Sequence, residues 1–299
     1  MAAVTPACLV DVVIVSYNSH GCLRNGIAPL IKSGFAHVIV VDNASGDGSL
    51  NTVADLPVTR LQLPTNRGFA HGCNIGWRAG HAPFVLFLNP DASIDPHSLM
   101  RLVEVLKRDS DAGLVAPRIL DTEGSLDFSL RRFPRARSTW GRALFLHRFL
   151  PHAPWVDEVV RDDDAYFHAG AHEWVSGACM LVRRLALEQI GGLDERFFLY
   201  CEDKDLCYRL WAAGFRVHYE PDAVCIHEGG ASAPRPSLLS VLAASRLRYT
   251  QKHGGRSAIV VERAGLVLEA LLRLVVSQGG RGVRGGHARS LVKLVSPRP

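Results

Sequence analysis

Four polar segments of the sequence carry the residue types that could do chemistry. They centre on Asp42 in Val-Val-Asp-Asn, Asp91 in Asn-Pro-Asp, the acidic pair Glu202 and Asp203, and His227 in Ile-His-Glu. Carboxylates accept hydrogen bonds from a base or a ribose, hold a hard divalent cation, or take a proton from a hydroxyl. Neutral imidazole is a common metal ligand. Taken alone, the Asp42 segment is more typical of a turn, and the Asp91 segment is equally typical of a turn or cap. Acids at the start of a helix also suit its dipole, and a lone histidine beside a glycine turn is more often structural.

The acidic pair stands at the start of a helix predicted over residues 202–213. Within it Glu202, Asp205 and Arg209 fall at i, i+3 and i+7 and share one face, whereas Asp203 points elsewhere. An acid outside that pairing is a candidate general base toward a hydroxyl. Aromatic residues just before the helix are expected to desolvate it and to raise its pKa.

The elements that must position these residues alternate along the first half of the chain. Near-continuous apolar runs predict buried strands at 10–16, 38–41, 58–63 and 84–88. Helical segments between the strands, the clearest at 69–79, predict a parallel sheet covered on both faces. Asp42 and Asp91 directly follow strands, so both are expected at the carboxyl edge, where open α/β sheets bind ligands.

The second half of the chain is less regular. Residues 131–172 are rich in Arg, Pro, His and Trp without a clear period, which predicts an irregular insertion, and the three aspartates at 162–164 in it predict a solvated loop. Strands are predicted again at 174–182, 215–219 and 223–227, and the last seventy residues are predicted to be helical.

Composition narrows the class of protein. The 299 residues are 47% apolar and 21% charged, which is ordinary for a globular protein of one large or two small domains. Seven cysteines without close double spacing predict reduced, mostly buried thiols. The first apolar run is short and interrupted by Asp11, and 18 uninterrupted apolar residues occur nowhere, so neither a signal peptide nor a spanning helix is expected. We therefore expect a cytoplasmic protein.

In their order along the chain, these segments resemble the family 2 glycosyltransferases. The resemblance covers residues 10–230 and depends on Val15-Ser16-Tyr17-Asn18, Val41-Asp42-Asn43-Ala44-Ser45, Asn66-Arg67-Gly68-Phe69-Ala70 with Asn74, Asn89-Pro90-Asp91, Trp174-Val175-Ser176-Gly177-Ala178, and Gly192-Leu193-Asp194-Glu195-Arg196-Phe197-Phe198 before Glu202-Asp203. Within the family the sequence is most similar to bacterial dTDP-rhamnosyltransferases of cell-envelope polysaccharide assembly. The resemblance implies an α/β GT-A fold, with a Rossmann-like, mostly parallel central sheet flanked by helices and a helical C-terminal extension.

The resemblance also implies a role for each matching residue. The nucleotide-sugar-binding residues would be Ser16, Tyr17, Asn18, Asp42, Asn66, Gly68, Asn74, Asn89, Trp174 and Gly177. Asp91 and His227 would hold a divalent cation, Mg²⁺ or Mn²⁺. Asp203, beside Glu202, would be the catalytic base. Asn89 stands where the family's Asp-x-Asp motif has its first carboxylate, and an amide is a weaker metal ligand.

The implied activity is inverting transfer of a sugar, L-rhamnose from dTDP-L-rhamnose, to a hydroxyl of a glycan or a polyprenyl-diphosphate-linked acceptor. Another donor (UDP-galactofuranose or a UDP-hexose) and a non-catalytic sugar-nucleotide-binding relative stay open as alternatives. The first strand is not followed by Gly-x-Gly-x-x-Gly, and the sequence has no Gly-Lys-Ser/Thr loop, which argues against NAD-dependent and nucleoside-triphosphate-using enzymes. We expect a catalytic domain at 1–230, with 131–172 on its acceptor side, and a basic extension at 231–299.

The extension could contact a membrane. Residues 230–299 hold 12 of the 34 Lys and Arg but two of the 29 acidic residues. Between 259 and 276 the polar residues Glu262, Glu269 and Arg273 leave a wide apolar face, formed by Val260, Leu266, Val267, Leu271, Leu274 and Val275. A basic amphipathic helix predicts peripheral contact with the inner face of the cell membrane; a helix packed on the catalytic domain is an equal alternative. A nucleic-acid partner is not expected, since interleaved aromatic residues are missing.

Overall fold

A computed structural model describes residues 8–228, 236–276 and 281–295. Eleven strands and ten helices follow one another within these ranges: β1 (Val10–Ser16), α1 (Leu23–Ile31), β2 (Ala36–Asp42), β3 (Thr59–Gln62), α2 (Phe69–Ala79), β4 (Phe84–Leu88), β5 (Ala92–Ile94), α3 (Pro96–Arg108), β6 (Ala112–Leu120), β7 (Leu130–Arg131), α4 (Ala136–Ala143), α5 (Leu146–Phe149), β8 (Gly170–Ala171), β9 (Trp174–Val175), β10 (Cys179–Arg183), α6 (Arg184–Ile190), α7 (Glu202–Ala212), β11 (Arg216–His227), α8 (Leu239–His253), α9 (Arg256–Val276) and α10 (Arg281–Val295). Three short 3₁₀ turns lie at Ser49–Val53, Asp163–Tyr166 and Pro236–Leu238.

The central sheet has the strand order β3-β2-β1-β4-β10-β6-β11-β5, and β8 pairs with β11. Strands β3, β2, β1 and β4 are mutually parallel, as are β6 and β11. Strand β10 runs antiparallel to both of its neighbours, and β5 and β8 run antiparallel to β11. The predicted parallel sheet is therefore confirmed for its first four strands, and antiparallel strands complete it.

Glycines bring α2 close to the sheet. A Cβ atom at Gly72 would lie 2.7 Å from Val15, and one at Gly76 would lie 2.3 Å from Val13. Both contacts are far shorter than van der Waals separation, so only glycine lets this helix pack so close to β1. Buried apolar residues cover both faces of the sheet, which is the two-sided core that the apolar strands predict.

Three predicted elements differ from the observed ones. The strand predicted at 174–182 is divided into β9 and β10, and the strands predicted at 215–219 and 223–227 form the single strand β11, with a register shift between Glu220 and Val224. The insertion at 131–172 is not wholly irregular, because it contains α4 and α5. The local sequence does not predict helix α4, because the contact that holds it comes from a distant part of the chain: Thr139 hydrogen-bonds to Glu262 of α9.

Helices α8, α9 and α10 pack against one another, and α9 also packs against α4. The two acids of α9 point inward: Arg246 of α8 lies 3.1 Å from Glu262 and 3.5 Å from Glu269. The apolar face predicted for α9 is therefore not one surface. Leu266 is buried, whereas Val260, Leu271 and Val275 are exposed.

The remaining expectations about the chain concern thiols and membrane crossing. All seven cysteines are free, and five of them are buried. None of the helices within the described ranges is long and apolar enough to cross a membrane. The predicted domain boundary at residue 230 lies outside the described residues.

Candidate active site

A cavity of about 400 Å³ opens where β1 and β4 end. We call it the first cavity. Seven of the predicted site residues line it: Tyr17, Asn18, Asn89, Asp91, Gly177, Glu202 and Asp203. Residues from three other parts of the chain complete the wall, among them Phe69, Tyr200 and Leu238. Its volume is in the range of small-molecule sites.

Ser16 and Asp42 lie side by side at the edge of the sheet, paired in the β1–β2 register. Oδ2 of Asp42 accepts a hydrogen bond from Ser45 N (3.0 Å), and Ser45 Oγ accepts one from Asn18 N (3.0 Å). Asp42 Oδ1 and Ser16 Oγ are buried and have no hydrogen-bond partner among the described residues. Buried polar atoms are costly when unpaired, so this pair suits a ligand that supplies hydrogen-bonding groups of its own.

His227 connects the end of β11 to the residues after β4. Its Nε2 lies 3.2 Å from Asp91 Oδ1 and 3.4 Å from Asn89 Nδ2, and its Nδ1 lies 4.0 Å from Asp127 Oδ2. Burial lowers the pKa of His227, but the carboxylates of Asp127 and Asp91 outweigh burial and raise this pKa to about 9. The imidazole in turn keeps the pKa of Asp91 below its ordinary value, although burial opposes it.

Asp203 is held in a defined orientation by backbone donors. Lys204 N donates to its Oδ1 (2.7 Å) and Gly177 N donates to its Oδ2 (3.0 Å). Burial raises the pKa of Asp203, and the two donors, the Lys204 ammonium and the Arg131 guanidinium limit the rise. A carboxyl group with a raised pKa is a better proton acceptor once it is ionised.

Glu202 does not share the face expected for it. Asp205 pairs with Arg209 (2.7 Å), as predicted, but Glu202 is buried beside Asp203 and lines the same cavity. Its Oε2 has no partner among the residues described here. Burial, reinforced by the neighbouring charge of Asp203, raises the pKa of Glu202 well above its ordinary value. Both acids therefore reach the cavity, since the helix begins at Glu202 and its first turn faces inward.

The turn before α7 sets where these acids lie. Tyr200 and Cys201 both have a φ of +67°, a left-handed conformation that is rare for residues other than glycine. The turn is held from two sides: Phe69 N donates to Phe198 O (2.7 Å), and Ser245 Oγ of α8 donates to Leu199 O (2.8 Å). Strained backbone of this kind persists where surrounding contacts over-determine it, commonly at functional sites.

Six of the predicted nucleotide-sugar-binding residues do not line the first cavity: Ser16, Asp42, Asn66, Gly68, Asn74 and Trp174. Asn66 accepts hydrogen bonds from Gly68 N (3.0 Å) and Asn43 Nδ2 (2.9 Å) within its own loop. Gly68 leaves room for the turn, because a Cβ atom there would lie 2.3 Å from Phe198 O. Asn74 is buried and bonds to Leu193, Glu195 and Trp77. Gly68 thus packs directly on the turn before α7, Asn66 holds the loop that contains Gly68, and Asn74 holds the segment that leads into that turn.

A second cavity, of about 210 Å³, lies on the other side of the acidic pair. It shares Tyr200, Glu202 and Asp203 with the first cavity, and its other walls include Trp174 and four cationic residues, Arg131, Arg142, Lys204 and Arg246. Trp174 was predicted among the donor-binding residues, but it lies here, with its Nε1 donating to Arg132 O (2.8 Å) and the Lys204 ammonium 4.8 Å from its ring.

Comparison with known proteins identifies the family. The family model described as "Glycosyltransferase like family 2" matches residues 6–251, which is most of the chain. This chain is a family 2 glycosyltransferase. The expected family and enzyme class are thereby confirmed.

Two curated relatives of this glycosyltransferase are named as rhamnosyltransferases. An N-acetylglucosaminyl-diphospho-decaprenol L-rhamnosyltransferase of Mycobacterium tuberculosis is 32% identical over 266 residues, which cover 83% of this chain and 86% of the relative. The rhamnosyltransferase WbbL of Escherichia coli is 30% identical over 54% of this chain and 60% of its own.

Solved structures confirm the GT-A fold. The mannosyltransferase PcManGT from Pyrobaculum calidifontis, in complex with GDP-Man and Mn²⁺, has a TM-score of 0.57 and 18% identity, covering 97% of this chain and 88% of that one. Residues 1–349 of TarS from S. aureus have a TM-score of 0.55 and 13% identity, covering 96% and 89%. At these identities the likeness concerns the fold.

The residues of this glycosyltransferase fit a divalent cation. Asp91 and His227 offer one carboxylate and one imidazole whose nearest atoms are 3.2 Å apart at the edge of the first cavity, and a cation that binds there would displace the proton that the raised pKa of His227 keeps on the ring in its absence. A group of three His, Cys, Asp or Glu suited to a metal does not occur in the described part of the chain. Magnesium and manganese sites commonly use one or two protein ligands and complete their coordination with substrate phosphates and water, so two protein ligands suffice beside a diphosphate.

Several residues of the site gave no sequence signal. Asp127 faces His227 from the turn before β7, exactly 100 positions earlier in the chain. Arg142, Arg246 and Leu238 come from the insertion and the extension, whose positions against the sheet cannot be inferred from local pattern. Of the missed site residues named here, Lys204 alone could have been suggested by the sequence, since it directly follows Asp203.

Proposed function

We propose that this glycosyltransferase moves L-rhamnose from dTDP-L-rhamnose to a sugar hydroxyl of a polyprenyl-diphosphate-linked glycan, with inversion at the anomeric carbon. The names of the mycobacterial relative and of WbbL support the donor sugar, and the former supports the lipid-linked acceptor. The single observation that carries the proposal is that Asp203 lines both cavities, so that one carboxylate faces two substrate sites.

In the proposed reaction the first cavity takes the donor. Asp42 Oδ1 accepts a hydrogen bond from the base or ribose, and Ser16 Oγ donates one to it or accepts one from it. Tyr17 and Asn18 line the part of the cavity between these atoms and the diphosphate. Asp91 and His227 would hold Mg²⁺ or Mn²⁺ beside that diphosphate. The cation, when bound, supplies Lewis-acid stabilisation of the negative charge on the departing diphosphate.

Asp203 acts on the acceptor. It takes the proton of the attacking hydroxyl while the oxygen forms a bond to the anomeric carbon and the bond from that carbon to the diphosphate breaks, the electron pair leaving with the phosphate. A single displacement inverts the configuration. Glu202, whose pKa burial raises well above its ordinary value, holds its proton more tightly than an ordinary glutamate beside Asp203.

The proposed domain plan assigns residues 1–230 to catalysis, with 131–172 on the acceptor side, and 231–299 to the extension, which adds Leu238 to the first cavity.

We also propose that the extension contacts the inner face of the cell membrane through exposed apolar residues of α9, among them Leu271 and Val275. Co-sedimentation with anionic vesicles tests this contact: Val275→Glu should weaken it, and equal binding by the variant would contradict it.

A donor panel tests the proposed activity. Release of nucleoside diphosphate is measured from dTDP-rhamnose, UDP-galactofuranose, UDP-glucose and UDP-GlcNAc, with and without Mg²⁺ or Mn²⁺, in the presence of a lipid-diphosphate-linked GlcNAc acceptor. We expect cation-dependent turnover of dTDP-rhamnose. Turnover of a UDP-sugar instead would overturn the donor assignment, and binding of a nucleotide sugar without turnover of any donor would indicate a non-catalytic relative.

A further inference from the structure

A third cavity, of about 280 Å³, lies among α8, α9 and α10. Most of its wall is apolar and includes Leu239, Ala243, Leu266, Ala270 and Leu294. The third cavity adjoins the second, because Leu242, Arg142 and Arg246 line both. The three cavities therefore follow one another: the first meets the second at Asp203, and the second meets the third at Leu242.

Both cations and acids line the second cavity: Arg131, Arg142, Lys204 and Arg246, together with Glu158, Glu202 and Asp203. Lys204 pairs with Glu158, Arg246 lies within 3.7 Å of Glu158, Glu262 and Glu269, and Arg142 lies 3.4 Å from Glu269. Lys204, Arg246 and Arg142 thus each have a carboxylate partner. Arg131 has no ion pair within 4 Å among the residues that the structure describes, and its guanidinium lies 5.9 Å from the ring of Trp174. Its Nη1 donates a hydrogen bond to Phe128 O, which leaves the other donors of the guanidinium for an anion from outside.

The walls of the two cavities differ in chemistry. The second cavity, which is bounded by Asp203, contains the ring of Trp174 and the guanidinium groups of Arg131 and Arg142. The third cavity, beyond Leu242, has a wall that is mostly apolar, with Arg142, Arg246, Arg273, Glu269 and His287 as its charged or titratable members. Aromatic faces pack on sugar rings, guanidinium groups bind phosphate oxygens, and apolar walls bind hydrocarbon. A sugar joined through a diphosphate to an isoprenoid has these three parts in this order.

We propose that the second and third cavities form one subsite for a polyprenyl diphosphate: the diphosphate binds at Arg131 and Arg142, and the first isoprene units lie between α8, α9 and α10. This inference rests on the proposed function, since it places the acceptor of that reaction. The C-terminal helices then bind the lipid chain directly, beyond any contact they make with a membrane surface.

Binding of three probes in the absence of a nucleotide sugar tests the subsite: pyrophosphate, geranyl diphosphate and geranylgeranyl diphosphate, titrated against the full chain. In the wild-type protein the longer chain buries more apolar area, so we expect it to bind at least about tenfold more tightly than the shorter one. Leu242→Trp should reduce this ratio to below about threefold and leave pyrophosphate binding unchanged, because the indole fills the passage between the two cavities.

The matched control is Leu185→Trp, the same substitution at an exposed position of α6 that lines neither cavity. It should bind all three probes as the wild-type protein does. Should Leu242→Trp fail to fold, Ala270→Leu fills the same cavity from α9 with a smaller change. Arg131→Gln should weaken binding of every probe, pyrophosphate included.

Two results would overturn the subsite: equal affinity of the wild-type protein for both chain lengths, or a full chain-length effect in Leu242→Trp and Ala270→Leu. Tighter binding of a dodecyl phosphate than of geranyl diphosphate, unaffected by Arg131→Gln, would show a general lipid site and would overturn it as well. Because no donor is present, these outcomes are separate from the donor panel. A negative donor panel with positive chain-length binding would reject the proposed transfer and keep the lipid site.

Discussion

The backbone N–H of Gly177 donates a hydrogen bond of 3.0 Å to Oδ2 of Asp203, and a Cβ atom at position 177 would lie only 3.2 Å from Asp203 Cβ. The link between β9 and β10 thus approaches the first turn of α7 closely enough to orient its carboxylate. The glycine is needed for room, since its φ is not left-handed. The proposed base is therefore positioned by two segments that are 26 residues apart in sequence.

Removing the charge of Asp203 should abolish most transfer. We expect Asp203→Asn to lower kcat about 10²–10⁴-fold, because an amide cannot take the proton of the acceptor hydroxyl. Donor affinity should stay within about twofold. Asp163→Asn, at an exposed aspartate of the insertion, is the control. Near-normal turnover of Asp203→Asn would remove this residue from the role of base.

Crowding the base should act on rate more than on binding. Gly177→Ala places a methyl group against Asp203, and we expect kcat to fall at least about tenfold, since small displacements of a catalytic group are costly. Gly170→Ala is the matched control, because a Cβ atom there meets no atom within 4 Å. Steady-state kinetics with both substrates varied measure the effect. An unchanged kcat in Gly177→Ala would show that the hydrogen bond does not orient the base.

The buried carboxyl group of Glu202 should lower the stability of the folded protein at neutral pH. Its pKa is raised in the folded protein, so the folded state is disfavoured once pH exceeds the ordinary value of 4.5 and the carboxyl ionises in the unfolded chain. We expect Glu202→Gln to raise Tm at pH 7 by about 2 °C or more. The gain should shrink toward zero below about pH 4, where glutamate is protonated in both states.

Thermal unfolding at several pH values measures this difference, and Glu104→Gln, at an exposed position of α3, is the control. A lower Tm of Glu202→Gln at pH 7 would mean that the ionised carboxylate is stabilised in the folded protein, contrary to its buried position without a partner for Oε2.

The cation should depend on Asp91 and His227. We expect Asp91→Asn to raise the Mn²⁺ concentration for half-maximal turnover at least about tenfold, since an amide is a weaker ligand for hard cations than a carboxylate. His227→Gln should act in the same direction. Asp222→Asn, at an exposed residue paired with Arg101, should leave the Mn²⁺ requirement unchanged. Turnover that is insensitive to chelation in the wild-type protein would reject the metal site.

Among the contacts between the extension and the catalytic part, loss of Arg246 should lower the free energy of unfolding most. Arg246→Met leaves Glu158, Glu262 and Glu269 buried with one cation fewer, and breaking a buried ion network typically costs about 3–5 kcal/mol. Urea unfolding measures the loss, with Arg256→Met at the exposed start of α9 as control. A loss below about 1 kcal/mol would show that Lys204 and Arg142 compensate.

The sequence predicted the elements whose signal is local. Helix α2 and strand β4 have the predicted bounds, and Asp42 and Asp91 lie at the carboxyl edge because a strand's end is readable from its apolar run. Helix α4 was missed, since Thr139 depends on Glu262, 123 residues away. The contacts that join the extension to the sheet have no local pattern either.

For the site, the sequence identified acids but not their surroundings. Asp203 was predicted to stand apart from Asp205 and Arg209, and it does; Glu202 was predicted to share their face, and it lines the cavity instead. Which face of a first turn is buried depends on the preceding left-handed residues, Tyr200 and Cys201, whose conformation their residue types do not predict. The cations of the second cavity come from four separate elements and could not be grouped beforehand.

The three cavities are built from different stretches of chain. The first draws mainly on residues before 204, whereas every described residue of the third except Arg142 follows position 235. On the proposed assignment of the cavities, changes in the last three helices would alter the lipid that is accepted and leave the nucleotide-sugar site unchanged. A lineage of such enzymes could diverge in carrier preference by varying its C-terminal helices while keeping one donor.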